Sequence, residues 1–161
     1  MDYFFEDISR LAIGTAQYGM NYGLANKTGK ISDFEMCRIL NNAKENNILT
    51  IDTAKSYGNC EQKLGSQDVD EFMVMTKVSN LTQSKKNINT FVLEELKDSL
   101  EKLNLNNLDT LLLHRSFDLL DYKKNEVYEA LLFCKEAGLI KKIGISADNA
   151  SDVKKIINIM T

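Results

Sequence analysis

Five polar residues that could take part in acid–base chemistry stand at or just beyond the ends of short apolar segments. They are Asp52, Tyr57, Lys77, His114 and Ser146. Carboxylate, phenol, ammonium and imidazole groups can together hold, donate and accept a proton. A lysine inside an apolar strand loses hydration unless a carboxylate compensates for it, and Asp52, one apolar segment earlier, is the available partner of Lys77. The pattern therefore favours a shared site.

Each of these residues also has a structural interpretation. The stem of Lys77 can pack on apolar neighbours while its ammonium reaches solvent. His114 is the only histidine in the chain and can serve as a structural hydrogen-bonding group. Tyr57 can pack its ring on the rim of the fold, and Ser146 can cap a helix. For Lys77, the proximity of Asp52 and Tyr57 leads us to favour the functional interpretation.

Short apolar strands alternate with longer amphipathic helices, and these elements would position the polar residues. Strands are predicted at 11–15, 48–52, 72–78, 108–113 and 142–146. A Gly-rich loop is predicted over 16–23. One helix is predicted behind the capping box Ser32–Glu35, with Phe34 on its apolar face. Further helices are predicted near 59–60, at 88–103, at 124–137 and from 150 onwards. Strands that are apolar on both faces indicate a parallel sheet covered by helices, either an open doubly wound sheet or a TIM barrel. In a TIM barrel the C-terminal ends of the strands form the active-site face.

A long motif follows the second predicted strand. The segment from Asp52 to Gly65 reads Asp-Thr-Ala-Lys-Ser-Tyr-Gly-Asn-Cys-Glu-Gln-Lys-Leu-Gly. It resembles the D-T-A-x-x-Y-G-x-x-E-x-x-L-G signature of the aldo/keto reductases. Lys77 is similar to the strand-three lysine of that family, and His114 is similar to its strand-four histidine. The resemblance spans essentially the whole chain, and it implies an α/β fold of the parallel (β/α) TIM-barrel type with about five βα units of the eight.

The resemblance implies an NAD(P)H-dependent oxidoreductase that reduces an aldehyde or a ketone by hydride transfer. Tyr57 would donate a proton to the carbonyl oxygen, and the ammonium of Lys77 would stabilise the phenolate that remains. Asp52 would hold Lys77 charged and oriented, and it would also border the cofactor. His114 would donate a hydrogen bond to the carbonyl oxygen.

Further cofactor contacts are implied by the same resemblance. Gly14 and Thr15 resemble the family's loop beneath the nicotinamide, and Ser146 resembles its carboxamide-binding serine. Many members have an asparagine after that serine, whereas Ala147 and Asp148 follow here, which leaves half of the expected carboxamide contact without its residue. The predicted cofactor is NADPH or NADH, the substrate is a small carbonyl compound, and no metal is expected.

Chain length limits what these residues can do alone. A complete TIM barrel takes about 250 residues, so residues 1–161 are expected to form a single partial barrel, the N-terminal half of the fold, that lacks three strands. In the family the remaining part supplies the aromatic ring on the nicotinamide and most contacts to the adenosine phosphates. We favour a truncated chain; the alternatives are a half-barrel completed by another chain and a diverged fragment that acts as a non-enzymatic binding or interaction protein. Unclosed barrel edges would favour self-association.

Composition and charge argue against several other classes of protein. The chain has 43% hydrophobic and 27% charged residues, as expected for a soluble globular domain. A net charge of −3, with lysine pairs spread along the chain, argues against partners such as nucleic acids and anionic membranes. The acidic start lacks the apolar region of a secretion signal, so a cytoplasmic location is expected. Three widely spaced cysteines indicate neither a disulfide framework nor a zinc site.

Overall fold

The computed structural model describes residues 10–78, 81, 87–119 and 124–160. Within this part five strands form one sheet, in the order in which they follow one another along the chain. The strands are β1 (Ala12–Gly14), β2 (Thr50–Asp52), β3 (Met73–Val78), β4 (Leu108–Leu113) and β5 (Ile140–Ile145). Every neighbouring pair is parallel, so all five C-terminal ends lie at the same edge.

Helices connect the strands, because parallel neighbours need a crossover. The helices are α1 (Ala16–Gly19), α2 (Asp33–Glu45), α3 (Cys60–Gly65), α4 (Ile88–Leu103), α5 (Lys124–Glu136) and α6 (Ala150–Met160), with a 3₁₀ turn over Ser116–Leu119. A doubly wound sheet reverses its strand order at a switch point, whereas a barrel keeps chain order. The observed order therefore selects the barrel type from the two predicted alternatives.

The core lies between the sheet and the helices that cover it. On α4 the side chains of Val92, Leu96, Leu100 and Leu103 are buried, and their spacing of three to four residues places them on one face. Burial of each such side chain contributes about 1.5–3 kcal/mol. The predicted bounds of α4 are confirmed, because its apolar period is unbroken from end to end.

The predicted bounds are wrong for three strands, β1, β2 and β5. β1 and β2 are shorter than predicted, with three residues each, because apolar character extends beyond the paired register. β5 begins at Ile140 and ends at Ile145, so it starts two residues before the predicted position and leaves Ser146 outside. Pairing with β4 sets these bounds, whereas the exposed residues Lys141 and Lys142 hide the start from a hydrophobicity pattern.

The predicted loop after β1 contains a short helix. α1 occupies Ala16–Gly19, and the N–H of Met20 donates to the carbonyl oxygen of Ala16. Four residues are too few for an amphipathic period, so the sequence carries no signal for this helix. α1 packs against α3 through a close backbone approach at Gly19.

α2 begins at its predicted cap, but the first residue of its predicted apolar face is exposed. The side chain of Ser32 accepts a hydrogen bond of 3.1 Å from the N–H of Glu35, as the capping box predicts. Phe34, predicted on the apolar face, is 74% exposed, so that expectation is wrong. Met36 is buried instead, together with Leu40 in the next turn, because the packed stripe starts later in the helix.

Some classes of feature do not occur in the described ranges. No helix there has the length and apolar character needed to cross a membrane. In the same ranges no group of three or more histidine, cysteine, aspartate or glutamate side chains could hold a metal ion.

Candidate active site

Lys77 on β3 is the centre of a hydrogen-bonded cluster. Its Nζ donates to Oδ1 of Asp52 at 2.5 Å, to the carbonyl oxygen of Thr53 at 3.0 Å and to Oη of Tyr57 at 3.3 Å. An ammonium has three N–H donors, so all three have an acceptor here. Lys77 is only 4% exposed, and Asp52 supplies the compensating charge. The structure thus brings together the lysine and the carboxylate that the sequence paired.

Tyr57 is half-buried and lies directly over the ammonium. The Nζ of Lys77 is 5.0 Å from the centroid of the Tyr57 ring. Since the Tyr57 oxygen accepts a hydrogen bond from Lys77, its own O–H remains available to donate to a ligand. If that proton leaves, the phenolate faces a fixed positive charge. The arrangement therefore suits a proton donor.

Two glycines allow the Tyr57 loop to lie against α1. A Cβ added at Gly19 would lie 1.6 Å from the carbonyl oxygen of Tyr57. A Cβ added at Gly58 would lie 2.6 Å from the carbonyl oxygen of Gly19, and Gly58 has φ of +65°. The thiol of Cys60 also donates to the carbonyl oxygen of Thr15 at 3.3 Å. The loop that carries Tyr57 is therefore fixed by backbone contact.

An ion-pair network ties the same loop to α4. The Nζ of Lys55 lies 2.7 Å from Oε1 of Glu95 and 2.7 Å from Oδ2 of Asp98. Asp98 also pairs with Lys102 at 2.6 Å. Burial alone would lower the pKa of Lys55, but the hydrogen bonds to Asp98 and Glu95 outweigh it and raise that pKa. Sequence reasoning missed this anchor because the partners lie on a distant helix.

His114 follows β4 and approaches Tyr57 from the side. Its backbone N–H donates to the carbonyl oxygen of Val78 at 2.8 Å, which fixes its position at the edge of the sheet. The imidazole and the Tyr57 ring are perpendicular, with centroids 6.1 Å apart. Nδ1 of His114 lies 3.3 Å from Oγ of Ser56. The histidine thus belongs to the same group of side chains as Tyr57.

The surroundings of His114 disfavour its protonated form. Burial lowers the pKa of His114 from its ordinary value of 6.5, and the positive charges of Lys77 and Arg115 lower it further. The carboxylates of Asp52 and Asp148 act in the opposite direction but do not outweigh these effects. His114 is therefore a neutral imidazole at neutral pH, with one ring N–H.

A cleft opens beside Tyr57 at the C-terminal ends of β1 and β2. Its volume is about 300 Å³, and its lining is Gly14, Thr15, Ala16, Gln17, Tyr22, Asp52 and Tyr57. Thr15 is fully buried, and its hydroxyl donates to the carbonyl oxygen of Asp52 at 2.9 Å. Thr15 therefore supports Asp52 from behind, whereas Gly14 leaves the floor of the cleft open.

Ser146 lies at the same edge, one strand beyond the cluster. Its N–H donates to the carbonyl oxygen of Leu113 at 2.8 Å, and the register of β4 and β5 places it beside His114. The alternative role of Ser146 as a helix cap is not observed. Instead, the side chain of Asn149 accepts a hydrogen bond from the N–H of Asp152 at the start of α6.

A buried pair that sequence reasoning did not single out supports the strand that carries Lys77. The hydroxyl of Thr76 donates to Oε1 of Glu61 at 2.6 Å. Thr76 is fully buried and Glu61 is 3% exposed. The glutamate of the Asp52–Gly65 motif was the available signal, but its partner on β3 follows only from the packing of α3. This bond fixes the residue next to Lys77.

A family model decides where the chain belongs. The model of the aldo/keto reductase family matches residues 10–160. The chain is a member of the aldo/keto reductase family. Methylglyoxal reductase DkgA of Salmonella typhimurium is 28% identical over 134 residues, and the alignment covers 80% of this chain and 46% of DkgA. The chain thus spans about half the length of the curated relatives it matches.

Solved structures show the same relationship at the level of the fold. A candidate aldo-keto reductase from Pseudomonas aeruginosa matches with a TM-score of 0.75 and 25% identity, over 91% of this chain and 59% of that chain. An aldo-keto reductase from Bombyx mori, solved in complex with NADP, matches with a TM-score of 0.67 and 26% identity, over 92% of this chain and 50% of that chain. The predicted fold class of this chain, a partial barrel of the TIM type, is confirmed.

Proposed function

We propose that the protein is an NAD(P)H-dependent reductase that converts an aldehyde or a ketone to an alcohol, with Tyr57 as the proton donor. The observation that carries the proposal is the buried ammonium of Lys77, shared between the carboxylate of Asp52 and the hydroxyl of Tyr57. A phenol is a weak acid at neutral pH. An adjacent ammonium stabilises the phenolate and so assists proton transfer.

The direction of each hydrogen bond supports the role proposed for each residue. Lys77 donates to the Tyr57 oxygen, which leaves the phenolic proton to point at a carbonyl oxygen in the cleft. Asp52 accepts from Lys77 and holds it in place, and it supplies the compensating charge for a buried ammonium. Proton transfer from Tyr57 then creates a phenolate that already has its counter-ion.

His114 complements Tyr57 as a neutral hydrogen-bond donor. Because burial and the charge of Lys77 lower the pKa of His114, it can orient a carbonyl oxygen without competing for the phenolic proton. Two donors aimed at one oxygen are a recurrent way to stabilise the negative charge that develops during carbonyl reduction. The perpendicular rings of Tyr57 and His114 fit such a pair.

The cleft is the proposed site for the nicotinamide end of NAD(P)H. An atom at the Cβ position of Gly14 would meet nothing within 4 Å, so the floor leaves room for a planar ring. Gly14, Asp52 and Ser146 would hold this end, and Thr15 would support Asp52 through its hydrogen bond. The bound cofactor would supply the hydride. DkgA is named as a methylglyoxal reductase, so we propose a small aldehyde of that kind as substrate.

Cofactor binding by the purified chain tests the proposal. The fluorescence of NADPH or NADH is followed as the chain is added, and we expect a saturable change. Gly14→Val fills the floor of the cleft and should abolish the saturable fluorescence change. Gly138→Asn is the matched control, because this position has φ of +71° and free space around it, and Asn tolerates that conformation. No saturable binding of either cofactor at any attainable concentration would overturn the proposal for this chain.

A further inference from the structure

Ser56 lies next to the only histidine of the chain. Its Oγ is 3.3 Å from Nδ1 of His114, across 58 positions of sequence. The loop that carries Ser56 is held on one side by the ion pairs of Lys55 with α4 and on the other by the Gly19–Gly58 backbone contact. The serine hydroxyl is therefore presented to the imidazole by a fixed backbone.

The partner of Nδ1 decides what the other ring nitrogen can do. A neutral imidazole carries one N–H, either on Nδ1 or on Nε2. If Nδ1 carries the proton, it donates to Ser56, and Nε2 presents a lone pair that repels a carbonyl oxygen. If Ser56 donates its hydroxyl proton to Nδ1, Nε2 carries the ring proton and can donate it in a hydrogen bond to that oxygen. A residue at Nδ1 thus controls whether His114 is a donor.

We propose that Ser56 is a positioning residue that sets the tautomer of His114, by donating to Nδ1 and keeping the ring proton on Nε2. The inference deepens the proposed function, since it assigns the hydrogen bond that prepares His114 for a carbonyl oxygen. The role assigned to Ser56 requires no contact with cofactor or substrate. Its effect on the reaction passes through the imidazole alone.

Nuclear magnetic resonance tests this assignment directly, because one histidine gives one set of imidazole signals. Long-range ¹H–¹⁵N correlation spectra of the ¹⁵N-labelled chain, recorded well above the ordinary histidine pKa, report which ring nitrogen carries the proton. We expect Nε2–H in the native chain. Ser56→Ala should shift the tautomer ratio toward Nδ1–H by about fivefold, since a typical hydrogen bond contributes about 1 kcal/mol.

Two further variants separate the hydrogen bond from other effects. Ser56→Thr keeps a hydroxyl on Cβ and should retain the native pattern. Ser66→Ala is the matched control, because its hydroxyl bonds to the carbonyl oxygen of Lys63, away from His114. A native chain protonated on Nδ1, or a Ser56→Ala spectrum identical to the native one, would overturn the inference.

The spectra need no cofactor and no turnover, so the two proposals can fail separately. A chain with the expected Nε2–H pattern that reduces no carbonyl compound would refute the proposed function and retain the tautomer assignment. In a chain that turns over, Ser56→Ala should lower kcat by about five- to tenfold with little change in KM, because the lost orientation acts in the transition state. An unchanged kcat would contradict a positioning role.

Discussion

At the scale of single residues, the site places a lysine and a histidine on either side of Tyr57 with different surroundings. The Nζ of Lys77 donates to Asp52 and to two further acceptors. His114 is kept neutral by burial and by the charge of that same lysine, both of which lower the pKa of His114. A fixed cation next to Tyr57 and a neutral donor beside it are what carbonyl reduction with a phenolic proton donor requires.

The neutral state of His114 predicts a pH dependence of folding stability. The unfolded chain takes up a proton on His114 near the ordinary pKa of about 6.5, whereas the folded chain resists it to lower pH. The unfolded state binds more protons in that window. The contribution of His114 to the free energy of unfolding is therefore fully present above a pH of about 6.5 and decreases below it. Urea unfolding at about pH 7.5 and about pH 5.5 measures this difference.

His114→Gln provides the control for that measurement. The variant has no histidine at all, since His114 is the only one, so it should lack this part of the pH dependence. Carboxylates titrate mainly at lower pH and contribute to both proteins alike. Equal changes in the native chain and the variant would show that His114 is not held neutral by the fold.

At the scale of secondary-structure elements, the loop between β2 and α3 is held from two sides. Lys55 pairs with Glu95 and Asp98 of α4, and Gly58 meets Gly19 of α1. The first contact is electrostatic, and the second depends on the absence of side chains. Together they fix Tyr57 over Lys77 on the neighbouring strand.

The backbone contact predicts a large cost for one added methyl group. Gly19→Ala would place Cβ 1.6 Å from the carbonyl oxygen of Tyr57, so α1 and the loop must separate. We expect a loss of about 2–3 kcal/mol in the free energy of unfolding, as for other overpacked positions. Urea denaturation measures it. Gly14→Ala is the control, since no atom lies within 4 Å of the added Cβ, and a loss as large in that control would contradict the steric explanation.

The sequence predicts elements better than it predicts contacts between them. The long helix α4 and the pairing of Asp52 with Lys77 follow from the apolar period and from the charge of a lysine in a strand. α1 has too few residues to show a period, and the exposed lysines 141 and 142 hide the start of β5. Ser56 and Lys55 were missed because their partners, His114 and α4, become neighbours only when the sheet assembles. For Ser56 and Lys55, distance in sequence is what limits the prediction.

At the scale of the whole molecule, the described sheet has two outer strands, β1 and β5. A cleft of about 470 Å³ borders the β1 side, and Ile13, Ile39 and Ile48 are among its lining residues. Outer strands with unpaired backbone groups and apolar neighbours are sites of association between chains. We propose that residues 1–161 fold as one structural unit that associates through this edge.

Sedimentation velocity tests the association. We expect the average mass to rise with concentration, and Ile39→Arg to reduce the rise, because a charge at the cleft opposes burial of that edge. Leu24→Arg is the matched control, since Leu24 is fully exposed and does not line the cleft. A chain that sediments as a monomer at every concentration would contradict the association.

The rate of carbonyl reduction by the native chain and by Tyr57→Phe tests the assignment of Tyr57 as the proton donor of a reductase. The loss of NADPH absorbance is followed with a panel of small aldehydes, after circular dichroism has shown that both proteins are folded. The site predicts measurable turnover by the native chain and a decrease of at least about 100-fold in kcat for the variant, the size expected for removal of a positioned proton donor. Turnover by Tyr57→Phe at the native rate would contradict the role of Tyr57, and no turnover by either protein would contradict the proposed reductase function.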